Sequence, residues 1–198
     1  MFHLHPVLQV SRSVTTLETG AAAVPPMFSL SGRLHPVAFL AVLGLALASP
    51  ARASSLEDIL QLETLINASG TETVVSSDCP PNHAGFYEND GKNTDRLVLC
   101  RNVVDLADAD AVWEVMAHEA THIMQACTGT HAIPDEYMPR TYRELQTMAP
   151  HYAKLVGQSY RSADQRLEAE AFWMELQTPD TVIDLFGRTC GRFLRQKR

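Results

Sequence analysis

His118, Glu119 and His122 lie in the run Val115-Met116-Ala117-His118-Glu119-Ala120-Thr121-His122, an H-E-x-x-H pattern, and no other stretch of the chain carries as much chemistry. On an α-helix, residues four apart sit one above the other on a single face, so the two imidazoles can reach one metal ion. The spacing suits tetrahedral zinc, and the glutamate after the first histidine leans toward the coordination position that protein atoms leave free. The pattern therefore predicts zinc acting on water, with Glu119 as general base. Two satisfied core histidines are the plainer reading, but they would leave Glu119 as a nearly buried charge without a partner.

A catalytic zinc site takes three protein ligands, so one more must come from elsewhere. The extended form H-E-x-x-H-x-x-G-x-x-H is excluded, because Gln125 and Thr128 occupy its glycine and third-histidine positions. Downstream, Glu168 is the best candidate. Its segment opens with Ser162 and Gln165, spaced as a capping box, and the small residues Ala169 and Ala171 permit close approach to the histidine helix. Glu170 is the runner-up and points about 200° away around the same helix, so the two acids cannot both face the metal. Glu175 shares the Glu168 face.

These residues need elements to hold them. Residues 108–127 read as a helix, with Asp108 and Asp110 able to cap its first turn and Gly129 placed for a left-handed stop. Val112, Met116, Ile123 and Cys127 fall near one apolar stripe, while His118, His122 and Gln125 share an adjoining face. Before it, residues 54–66 form a serine-capped packing helix. Short extended runs follow at 73–75, 84–87 and 96–100, the last two separated by a polar turn containing Asp90-Gly91. After Gly129, residues 142–148 and 151–157 read as proline-introduced helices, 162–177 as a helix, and 181–188 as the last helix.

The N-terminal part points outside the cytoplasm. Residues 37–48 are almost wholly apolar, follow Arg33 and lead to Ala51-Arg52-Ala53, the pattern of a secretory signal cut after Ala53, with Met27 as the expected start. The apolar run is shorter than the ~20 residues that span a bilayer, so no stable membrane insertion is expected after removal of the signal. Residues 1–53 are thus read as extension and signal, and 54–198 as one domain. That domain carries 13 basic and 22 acidic side chains, which argues against nucleic acid and anionic lipid as partners. Its four cysteines read as two disulfides in a secreted or periplasmic protein. Of the three possible pairings, Cys79 with Cys100 and Cys127 with Cys190 is preferred.

His118-Glu119-Ala120-Thr121-His122, followed by Glu168-Ala169-Glu170-Ala171, resembles the gluzincin zinc metallopeptidases, whose third ligand is a glutamate on a later helix. The resemblance implies zinc on His118, His122 and Glu168, peptide-bond hydrolysis with Glu119 as general base, and a peptide or protein as substrate. Phe172 stands where the family has an aspartate supporting a zinc-bound histidine, so Asp164 or Glu175 would have to serve. Tyr160 is the first candidate for the oxyanion donor, with His151 and Tyr152 as alternatives. The implied fold is α+β, a mainly helical zincin-like domain with a small antiparallel β-sheet packed on the H-E-x-x-H helix. Strand 96–100 resembles the edge strand that lines the cleft in that family. The alternative is a non-catalytic secreted binding module that keeps the zinc site or only its scaffold.

Overall fold

Ser55 opens the first helix, α1 (Leu56–Ser69), in a reciprocal cap: its hydroxyl accepts from the Asp58 amide and the Asp58 carboxylate accepts from the Ser55 amide. It belongs to a computed structural model that describes residues 54–194, with side chains to Arg192, so the extension, signal segment and cleavage position at 1–53 lie outside the described residues. The described part is α+β and mainly helical.

The histidine helix is α2 (Ala109–Thr128). Asp108 caps it by accepting from the amides of Asp110 and Ala111, and Gly129, at φ 78°, ends it in the left-handed conformation that glycine adopts without strain. Every residue from Met116 to Gln125 is buried, because α1, α5, α6 and the sheet surround this helix.

Three strands, β1 (Glu72–Ser76), β2 (Gly85–Asn89) and β3 (Asp95–Cys100), form a sheet in the order β1-β3-β2. β1 runs parallel to β3 with Val74 opposite Val98, and β2 runs antiparallel to it with Phe86 opposite Val98. Two expectations change here. The sheet is mixed rather than antiparallel, and β3 is its central strand rather than an edge. The physical reason lies in the run Leu97-Val98-Leu99-Cys100, which is buried throughout and so needs neighbours on both sides. β1 exposes Glu72 and Val75, and takes an edge.

After a short 3-10 turn at Asp135–Tyr137 come α3 (Met138–Met148) and α4 (Pro150–Ser159), each with proline in its first turn, where the missing N–H is no loss. In α5 (Gln165–Glu175) the Ser162 capping box does not form. Asp164 holds the cap position without a side-chain bond to the helix, since its carboxylate pairs with Arg161 at 2.9 Å. The Gln165 amide donates to the Tyr160 carbonyl at 3.1 Å instead of reaching back to a cap. The last helix, α6 (Pro179–Leu194), runs longer than residues 181–188, because buried Val182, Ile183, Phe186 and Cys190 keep one face in the core despite Gly187 and Gly191.

The main core lies between α1, the sheet, α2 and α6, and a smaller one, around Leu145, Ala149, Val156, Ala169 and Phe172, packs α3 and α4 onto α5. Both preferred disulfides form, Cys79–Cys100 and Cys127–Cys190, the second tying the end of α2 to α6. Among the described residues no helix is long and apolar enough to cross a membrane. The two disulfides are consistent with an extracytoplasmic location.

Candidate metal centre

Packing of α5 across α2 brings Glu168 over the two histidines. His118 Nε2 and His122 Nε2 are 3.2 Å apart, and the Glu168 carboxylate oxygens stand 3.6 Å from the first and 3.8 Å from the second. All three side chains are buried and offer ligand atoms within 4.8 Å of one another, a group that could hold a metal ion. Two nitrogens bound to one tetrahedral zinc at about 2.0–2.1 Å stand roughly 3.3 Å apart, so the spacing fits.

The hydrogen bonds behind the imidazoles make the same point. His118 Nδ1 lies 2.6 Å from Glu175 Oε1, and His122 Nδ1 lies 2.8 Å from Gln125 Oε1. The Gln125 oxygen behind His122 and the Glu175 carboxylate behind His118 suit the Nδ1–H form of each imidazole, the form that would turn Nε2 toward a metal. In that form the two Nε2 atoms, 3.2 Å apart with a carboxylate beside them, would face a cation lying between them. The donor set of two imidazoles and one carboxylate suits a divalent transition metal.

Glu119 is 1% exposed and stays outside the ligand group, with its Oε2 lacking a hydrogen-bond partner. Burial first, and then the nearby charge of Glu168, push its carboxyl well above the ordinary value, against a hydrogen bond from the Tyr87 amide. That amide is available for a structural reason. The Ala84 carbonyl accepts from the Cys100 amide at 2.9 Å, so residue 84 and alternate positions beyond it bond β3, whereas Gly85 and Tyr87 turn their backbone groups to the outer edge of β2, which pairs with no further strand among the described residues. Gly85 permits this close approach: a Cβ there would stand 2.5 Å from Val115 Cγ1 and 2.8 Å from the Val98 carbonyl oxygen.

Two tyrosines complete the surroundings. The Tyr160 hydroxyl bonds Glu168, and burial followed by that carboxylate's charge raises its pKa. Tyr152 donates to Glu175 and stacks on Phe172 at 4.5 Å, while Phe172 meets the His118 ring edge-on at 4.9 Å. Glu175 is also raised well above the ordinary carboxylate value, first by burial and then by Glu114, Glu119 and Glu168, against the Tyr152 bond.

Of the residues singled out from sequence, His118, Glu119, His122, Glu168 and Tyr160 come together. Glu175, rather than Asp164, supports His118. Glu170 does not reach the histidines' Nε2 atoms, and His151 is exposed, its ring against Tyr152 at 4.1 Å. Sequence reasoning missed the Gln125 bond to His122, the Tyr87 amide and the close approach at Gly85. Only Gln125 left a signal, its place three residues after His122 on the same helix. Family models, curated proteins and solved structures give no significant match to the chain.

Proposed function

We propose that the protein is a zinc-dependent peptide hydrolase of gluzincin type that works outside the cytoplasm. The observation that carries this reading is the division of labour among buried acids. Glu168 joins two imidazoles whose Nε2 atoms converge, while Glu119 stays out of that group with an oxygen that has no hydrogen-bond partner. When bound, zinc would supply Lewis acidity that acidifies water and polarises a carbonyl group. Glu119 takes the proton of the attacking water and passes it to the departing amine. Burial holds its proton affinity above that of an ordinary carboxylate, the direction needed by a base that must also return the proton. Tyr160 donates to the carbonyl oxygen as charge develops there. The outer edge of β2, beside Glu119, would accept an extended peptide as an added strand through backbone groups other than the Tyr87 amide, which Glu119 already holds. On this reading β2, not β3, is the strand that lines the cleft.

The test is zinc content together with hydrolysis of a peptide library by residues 54–198. One zinc per chain and cleavage are expected, with Glu119→Gln keeping zinc and losing cleavage; Tyr160→Phe should lower kcat with zinc retained. A second reading, zinc as a staple in a non-catalytic binding module, is favoured by the 1–3% exposure of the three ligands. It requires a fourth protein ligand. Among the described residues, the group whose ligand atoms converge holds His118, His122 and Glu168 and does not include His131. Stoichiometric zinc with no cleavage of any peptide would select this second reading.

A further inference from the structure

The side chain of Gln125 joins the two helices that carry the metal ligands. Its Oε1 lies 2.8 Å from His122 Nδ1 on α2, and its Nε2 lies 3.0 Å from the Leu167 carbonyl and 3.1 Å from Glu170 Oε2 on α5. A backbone carbonyl can only accept, so the amide nitrogen faces α5 and the oxygen faces His122. Turning the amide over would set its oxygen against two other acceptors. Glu170 is itself pinned: it is fully buried, its Oε2 also accepts from the Ala132 amide at 2.8 Å, and its Oε1 lies 3.1 Å from Arg166 Nε. Arg166 in turn holds the Ile133 carbonyl at 3.0 Å and Asp135 at 2.6 Å.

We propose that Gln125, held in orientation by Glu170, is a positioning residue that fixes His122 as the Nδ1–H tautomer and so presents Nε2 to the metal. The proposal rests on reading His118, His122 and Glu168 as a metal centre, and it gives the second acid of Glu168-Ala169-Glu170 a separate task. Glu168 meets the ion, while Glu170 anchors the amide that aims one of its ligands. His118 does not depend on this route, because Glu175 stands behind it. Histidine in water favours the Nε2–H form, so the opposite tautomer at His122 needs a fixed acceptor at Nδ1. Partners of this kind are worth about 10–100-fold in metal affinity.

The experiment uses the whole disulfide-bonded chain, wild type beside Gln125→Met, which keeps the length of the side chain and removes the acceptor. Long-range proton–nitrogen spectra of the chelator-treated protein at alkaline pH report each histidine tautomer, and competition with a chromophoric chelator reports zinc affinity. Wild type is expected to show Nδ1–H at His122. Gln125→Met should shift His122 toward Nε2–H, leave His118 unchanged and weaken zinc about 10–100-fold. A merely structural Gln125 would lower the melting temperature and leave the His122 tautomer alone, which would overturn the proposal. Wild-type His122 in the Nε2–H form would overturn it too, and that spectrum decides if the variant does not fold. A wild type with Nδ1–H at His122 and no affinity for zinc would refute the metal reading and still support the Gln125 assignment.

Discussion

Gly85→Ala tests the contact between β2 and α2, and its cost follows from distances. An added Cβ would stand 2.5 Å from Val115 Cγ1 and 2.8 Å from the Val98 carbonyl oxygen, where carbon–carbon contacts settle at about 3.5–4.0 Å. Relief therefore takes a displacement of about 1 Å. Val115 is half-buried and can give some of it. The Val98 carbonyl belongs to the central strand and cannot, so β2 must shift relative to both β3 and the helix. Overpacking of this kind costs about 1–3 kcal/mol, or about 3–10 °C of melting temperature in a domain of this size. Removing the side-chain half of the clash, in Gly85→Ala/Val115→Ala, should return part of that loss and leave the part due to Val98. The same displacement draws the Tyr87 amide away from Glu119, and a misplacement near 1 Å can cost roughly 10²-fold in turnover. Zinc affinity should stay unchanged, since the ligands lie on α2 and α5. Thermal melts of the oxidised chain, zinc competition and a peptide assay cover the three expectations. A melting temperature equal to wild type would refute the argument.

Glu168→Ala should abolish stoichiometric zinc while Glu170→Ala leaves it bound more weakly, and Glu175→Gln should weaken it about 10-fold by removing the charge behind His118, all read by chelator competition. In zinc-stripped protein, Glu119 and Glu175 hold protons above the ordinary carboxylate value of 4.5. Over that window the native state binds more protons than the unfolded one, so stability should fall as pH rises through the raised values, and saturating zinc, which favours the ionised forms, should remove the slope; melts near about pH 5 and about pH 8 check this, and a zinc-stripped chain more stable at the higher pH would refute it. Loss of Cys127–Cys190, with a sequence separation of 63, should cost about 4 kcal/mol, and loss of Cys79–Cys100, with a separation of 21, about 3 kcal/mol, measured by urea unfolding of paired Cys→Ser variants.

How far sequence reaches into this fold depends on whether a signal is local. Asp108 and Gly129 bound α2 as expected because a cap and a left-handed stop act on the residues beside them. Ser162 and Gln165 have the spacing of a cap as well, yet Arg161 draws off Asp164 and the Gln165 amide finds the Tyr160 carbonyl, a competition that no spacing rule records. The place of β3 in the sheet was half legible. Its unbroken apolar run called for two neighbours, but the parallel partner β1 comes from before the turn that made 84–87 and 96–100 look like an isolated hairpin. At the site, the helix period found the histidine pair and the small neighbours found Glu168. Glu175 and Glu170 meet their partners across 57 and 45 residues of chain, where only the packing of α5 on α2 decides.

Glu168 and Glu170 show what settles such a choice. Both lie on α5, both are buried almost completely, and alanine follows each of them. Their surroundings differ in sign. Glu170 faces donors, namely the Ala132 amide, the Gln125 amide nitrogen and Arg166, so its charge is compensated by the protein alone. Glu168 has the Tyr160 hydroxyl and faces the Nε2 atoms of His118 and His122, with the further acids Glu119 and Glu175 acting on the same region. Acceptors do not stabilise a buried carboxylate; a cation shared among them does. The bonds behind the histidines are therefore the stronger argument for the metal. If His118 and His122 both held their proton on Nδ1, Glu168 would need the ion that Glu170 does not.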